Sequence, residues 1–148
     1  CSGIHPLMGI SLDGMSAVVT DMGSMFWNTP FKGDISRWNV SSVTDMGSMF
    51  CDTPFNGVIS GWNVSSVTNM SFMFNSTPFD GDISRWDVSS VTDMGSMFWN
   101  TPFNGDISGW KIQDSCFTNN MFDNCPIPKK HKPTGRNYES DGLEGGDY

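Results

Sequence analysis

Carboxylates recur along this chain at a fixed interval, which makes them the first candidates for acid–base or cation chemistry. Asp21, Asp45, Asn69 and Asp93 stand 24 residues apart, as do Asp34, Asp82 and Asp106, with Val58 interrupting the second series. Placed in register about 4.8 Å apart, such acids repel one another unless each accepts backbone amides or the row binds calcium. The first series fits a helix-start cap. The second, beside the glycine of a turn, leaves calcium open, although the GGxGxD signature of calcium-binding β-rolls is missing. Both are columns rather than a cluster. A triad needs a nucleophile, a base and an orienting group, and the only histidines, His5 and His131, fall in the irregular ends. No catalytic, cofactor-binding or metal residue is assigned, and an enzyme is not expected.

Other side chains carry different chemistry. The cysteines are Cys1, Cys51, Cys116 and Cys125; none forms a CxxC pair, so zinc spacing is absent. An even count suits an oxidising compartment. Cys116–Cys125 is the expected bridge because the two lie close in sequence, and Cys1–Cys51 is a second possibility. The start at Cys1 is expected to mark a processed or truncated product, and Cys1 has a further reading as the lipid-modified first residue of a bacterial lipoprotein. Asn39-Val40-Ser41, Asn63-Val64-Ser65, Asn69-Met70-Ser71 and Asn75-Ser76-Thr77 are glycosylation sequons, usable in a eukaryotic host or with equivalent machinery. Trp27 and Trp99 occupy a position held by Cys51 and Asn75 in neighbouring copies, so they are expected to be exposed interaction residues. Thr29, Thr53, Thr77 and Thr101 form a row that invites comparison with an ice lattice, but each precedes proline and turn chemistry is preferred.

A 24-residue repeat positions all of these groups. Trp38, Trp62, Trp86 and Trp110 are evenly spaced, as are Met22, Met46, Met70 and Met94, and Phe26, Phe50, Phe74 and Phe98. A period of this size signals stacked units, because one unit alone cannot bury its apolar face. In residues 35–58, Trp38 and Val40 alternate with polar neighbours and read as a short strand. Met46, Met49 and Phe50, at i, i+3 and i+4, read as one face of a short helical turn, ended by Thr53-Pro54. Asn56-Gly57 then turns the chain. The expected fold is therefore a repeat solenoid, with short parallel strands and one short helical turn per repeat. Its Met and Trp rows are expected to be core. Residues 1–14 are read as an N-terminal arm or partial cap and 15–127 as about four to five repeats with a degenerate last turn. Residues 128–148 are read as a polar tail, whose composition favours disorder.

The net charge is −8, and the body to residue 110 holds only Lys32, Arg37 and Arg85 against ten acids. Such a body argues against nucleic acid and anionic membranes as partners, and no stretch is apolar enough to span a membrane. The basic run Lys129, Lys130, Lys132 and Arg136 reads as a solvated tail rather than a nucleic-acid patch, and it could lie against the acidic body of a neighbouring copy.

The core W-[ND]-V-S-S-V-T-[DN]-M-x-x-M-F, read from Trp38 to Phe50, Trp62 to Phe74 and Trp86 to Phe98, resembles the BspA-like repeat of bacterial and protist surface proteins, a relative of leucine-rich repeats. The resemblance covers roughly residues 15–126. It implies a secreted or surface-displayed, non-catalytic solenoid, and it carries over no binding residue. The expected function is thus an extracellular surface or structural protein that self-associates end to end into a fibre or layer. The alternative is a monomeric adhesin-type module for a host protein or glycan. In the fibre reading, deleting residues 128–148 abolishes polymers.

Overall fold

The computed structural model describes residues 18–136 and 138. The expected leucine-rich-repeat-like solenoid of strands and helical turns is overturned. Among the described residues there is no β-strand and no α-helix, and the one named element is a 3₁₀ turn at Lys129–His131. Isolated parallel bridges link Asp21 to Asp45, Asp45 to Asn69, Asn69 to Asp93 and Asp93 to Phe117. The chain forms five turn-built layers held in this 24-residue register.

Backbone amide direction explains the difference. In the segment 45–53, the amides of Met46, Ser48, Phe50 and Asp52 donate to the carbonyls of Asn69, Ser71, Met73 and Asn75 in the next layer at 2.8–3.0 Å. The intervening amides of Met49 and Cys51 donate within their own layer, to Met46 and Ser48, at 3.2 Å. A helix would need all of these amides to bond along the chain, and a sheet strand would send them to its neighbours. Here they alternate, four to the next layer and two to overlapping turns. The geometry requires a left-handed residue at every fourth position, and Ser48 (φ 56°) and Asp52 (φ 64°) supply it. The corresponding segment of each layer is called the ridge below.

Packing follows the period. Phe26, Phe50, Phe74, Phe98 and Phe122 stack through all five layers, with centroids 5.7–5.8 Å apart. Phe31, Phe55, Phe79 and Phe103 form a second column at 6.1–6.2 Å. Within a layer the two columns meet face to face, Phe50 on Phe55 at 4.1 Å. The Met and Trp rows are buried, as expected, and each full burial contributes about 1.5–3 kcal/mol. The indole N–H groups of Trp62, Trp86 and Trp110 reach back to the carbonyls of Ile35, Ile59 and Ile83 at 3.0–3.1 Å, so burial leaves no polar penalty there. Gly57 has a role other than turn chemistry. A Cβ there would sit 2.8 Å from the Phe55 ring, so the residue is small to admit its own layer's aromatic column.

The last layer departs from register and then regains it. Cys116, not Ser115, makes the turn bond to Gln113 O that Val91 makes to Val88 O one layer earlier. One extra residue thus puts a buried thiol in a valine's place. Residues 128–136 and 138 do not form a detached tail: Tyr138 is buried edge-on against Phe122, with centroids 5.0 Å apart.

Candidate functional site

The acid columns are absorbed by local structure. Asp21, Asp45 and Asp93 accept the amides of Gly23, Gly47 and Gly95 through Oδ1 at 2.8–2.9 Å. These are Asx turns opening the ridge, not helix caps. In the second column the Ser36 amide and hydroxyl hold the Asp34 carboxyl below its ordinary range, and the Ser84 amide and hydroxyl do the same for Asp82. For Asp106 the Ser108 hydroxyl leads, followed by the amide. Among the described residues, no three His, Cys, Asp or Glu side chains gather as a metal-holding group. The threonine row is turn chemistry too. Thr77 donates to Phe74 O at 2.8 Å and accepts the Phe79 amide at 3.2 Å.

The thiols at Cys51, Cys116 and Cys125 are free, and the expected Cys116–Cys125 bridge is not formed. Cys125 takes the threonine position and donates to Phe103 O at 3.1 Å, while Cys116 Sγ faces Phe117 O. Burial pushes the Cys116 thiol up to about 11 and raises that of Cys125, so neither is a ready nucleophile. Cys51 is half-buried, its thiol on Asn75 Oδ1. Cys1, and with it the Cys1–Cys51 bridge and the lipidation reading, lies outside the described residues.

The sequons separate into two kinds. Asn39 and Asn63 are exposed, each Oδ1 accepting the amide and hydroxyl of the serine two residues on. Asn69 is half-buried and its Nδ2, the atom a glycan needs, donates to Asp45 Oδ1 at 3.1 Å. Asn75 is also half-buried, accepting from Cys51 and Ser76.

The basic run also separates. Lys129 and Lys130 are exposed. Lys132 places Nζ 5.2 Å from the Phe122 ring centre, and Arg136 donates to the carbonyls of Gln113 and Cys116. Arg136 and Lys132 are therefore bound to their own last layer.

Several aromatic rings stand outside the stack. Trp27 is 57% exposed and Trp99 44%, on one ridge column three layers apart. Two further rings were not singled out by sequence reasoning. Phe72 is 40% exposed and Phe117 52%. Both adjoin Gly95: the Phe72 amide donates to Gly95 O at 3.0 Å, and a Cβ on Gly95 would lie 2.7 Å from the Phe117 ring. Trp99 sits on the same ridge as Gly95. Beside these rings runs a polar ladder, Asn124 Nδ2 to Asn100 Oδ1 and Asn100 Nδ2 to Ser76 Oγ. The signal for Phe72 was present in the period, since it replaces Ser48 and Ser96.

Comparison with known proteins places the sequence in a family. A family profile described as "Mycoplasma protein of unknown function, DUF285" matches residues 20–133. The match spans well over half of the chain, and the chain belongs to that family. No curated protein matches it, and no solved structure does. No helix among the described residues is long and apolar enough to cross a membrane.

Proposed function

We propose that the chain is a non-catalytic extracellular or cell-surface module of the BspA-like kind, whose ridge face carrying Phe72, Trp99 and Phe117 binds a glycan or a host surface protein. One observation carries the reading. Phe72 is a bulky residue held at φ 57°, a conformation that costs a residue with a Cβ about 1–2 kcal/mol, and its side chain is nevertheless left 40% exposed. Strain of that kind collects where a side chain serves something other than the fold. The other exposed rings, Trp99 and Phe117, and the asparagine ladder add the two kinds of group a sugar face uses: flat apolar surface and side-chain amides.

The test compares Phe72→Asn and Trp99→Ala with the unsubstituted chain on a glycan array and on immobilised host surface proteins. Each change is expected to lower binding at least tenfold while the fold holds. Unchanged binding in both variants defeats the proposal. The fibre reading in which the tail lies along a neighbour finds less support, because Arg136 and Tyr138 contact their own last layer.

A further inference from the structure

One turn recurs in the segment that follows each inner tryptophan. There Oδ1 of Asn39, Asn63 or Asp87 accepts the amide of the serine two residues on at 3.1 Å and its hydroxyl at 2.6–2.7 Å. The residues on either side, Trp38 and Val40, Trp62 and Val64, Trp86 and Val88, are all buried. Packing of both neighbours holds the residue between them in solvent, and Asn39, Asn63 and Asp87 are exposed. Two donors on one oxygen fix the plane of the side chain and engage Oδ1 alone. Among the described residues, Nδ2 of Asn39 and Nδ2 of Asn63 make no hydrogen bond.

The two remaining sequons isolate what matters. Asn69 makes the same turn, its Oδ1 accepting the Ser71 amide at 2.9 Å and hydroxyl at 2.8 Å. Its nitrogen differs. Nδ2 donates to Asp45 Oδ1 at 3.1 Å, and it lies so close to Gly47 that a Cβ there would sit 2.7 Å away. That nitrogen has no room for a sugar. Asn75 lacks the turn altogether, because Thr77, the hydroxyl residue of its sequon, is buried and donates to Phe74 O at 2.8 Å.

We infer that Asn39 and Asn63 carry N-linked glycans, one on each of two successive layers, and that Asn69 and Asn75 carry none. Glycosylation presupposes the extracellular reading above, since such acceptors serve in secreted chains. In the transfer, Nδ2 bonds to C1 of a sugar held on a lipid-linked diphosphate. The C1–O bond breaks, the diphosphate leaves with the electron pair, and one amide proton passes to a base of the transferase. The turn survives, because its bonds use only Oδ1. A glycan placed on Asn69 before folding would meet Gly47 as the layers close, so folded chains lack one there. Asp87 holds a third copy of the turn with a carboxylate in place of the amide. Only the nitrogen is missing. These glycans belong to the chain itself and are distinct from any sugar bound at the aromatic ridge.

The experiment is site-by-site mass spectrometry after peptide-N-glycosidase release in heavy-oxygen water. It takes the full chain from its own source and the full chain secreted by eukaryotic cells. Both should carry glycan at Asn39 and Asn63, with Asn69 and Asn75 recovered unmodified. Asn39→Gln and Asn63→Gln should each remove one glycan, and Asp87→Asn should add a third to a chain that stays folded. Glycan on Asn69 or Asn75 of folded protein overturns the inference, as does a secreted chain bare at Asn39 and Asn63. An Asp87→Asn chain that gains nothing overturns it too. Labelling of intact source cells with a membrane-impermeant reagent tests the extracellular reading separately. A native chain that is labelled yet bare defeats the glycans alone, whereas one that is neither labelled nor glycosylated defeats both.

Discussion

Phe72 holds a backbone angle that neighbouring layers reach with Ser48, Ser96 and Asn120. Asparagine bonds its own backbone and enters the left-handed region at small cost, whereas a phenylalanine there meets the following carbonyl. Phe72→Asn should therefore raise stability by about 0.5–1 kcal/mol, the relieved strain less the ring's partial burial. Urea unfolding reads this directly. A lower midpoint would mean that the half-covered ring contributes more than its backbone costs. A variant that is more stable yet binds less would separate the residue's cost to the fold from its use at the surface. The same comparison shows what the residue pattern could disclose. Trp27 and Trp99 stood out because they break a column of dissimilar residues. Phe72 breaks a column of serines just as plainly, but an aromatic amid buried rows is easily assigned to the core.

The ridge and the loops between ridges are held by short-range turns, many closed by a carboxylate. Asp34, Asp82, Asp87 and Asp106 each accept a serine amide and hydroxyl two residues on, and each carboxyl lies below its ordinary value for that reason. A depressed carboxyl stabilises the fold above its unfolded value of 3.8 and ceases to do so as the pH falls through the folded value. Unfolding midpoints should thus be level from neutrality to about pH 4 and decline below it. Replacing Ser84, Ser89 and Ser108 by alanine should flatten that decline; an identical pH profile would assign it to other groups. The rows of inward residues at this scale were legible, since Trp62, Val64, Val67, Met70, Met73 and Phe74 are all buried. The elements were not. Spacing of i, i+3 and i+4 at Met46, Met49 and Phe50 fits a helical turn and two overlapping β-turns alike, because both bring those side chains to one side. Only the direction of alternate amides tells them apart, and side-chain type does not encode it. The 128–148 composition likewise suggested disorder, whereas among its described residues His131, Arg136 and Tyr138 each contact the stack.

At the scale of the whole molecule, stability depends on neighbours in a row, as in other stacked repeats. Phe74 has a ring 5.7 Å away on either side and a third, Phe79, at 4.2 Å. Phe74→Ala should cost about 3–5 kcal/mol and unfold the chain as one cooperative unit, whereas two separated calorimetric transitions would show halves that stand alone. The charged surface bears on the same scale: an acidic body whose lone basic run is partly engaged by the last layer offers little to nucleic acid.

The uniform register of the bridges has a bearing on inheritance. Because the ridge of each inner layer offers the same four amides and four carbonyls, no layer is addressed to a particular neighbour. A gain or loss of one whole 24-residue unit by slippage of the repetitive coding sequence rejoins matching edges, while a fragment of any other length shears every column at once. Copy number is the one dimension along which this molecule can change in a single step, and lengths among its descendants should come in steps of one layer.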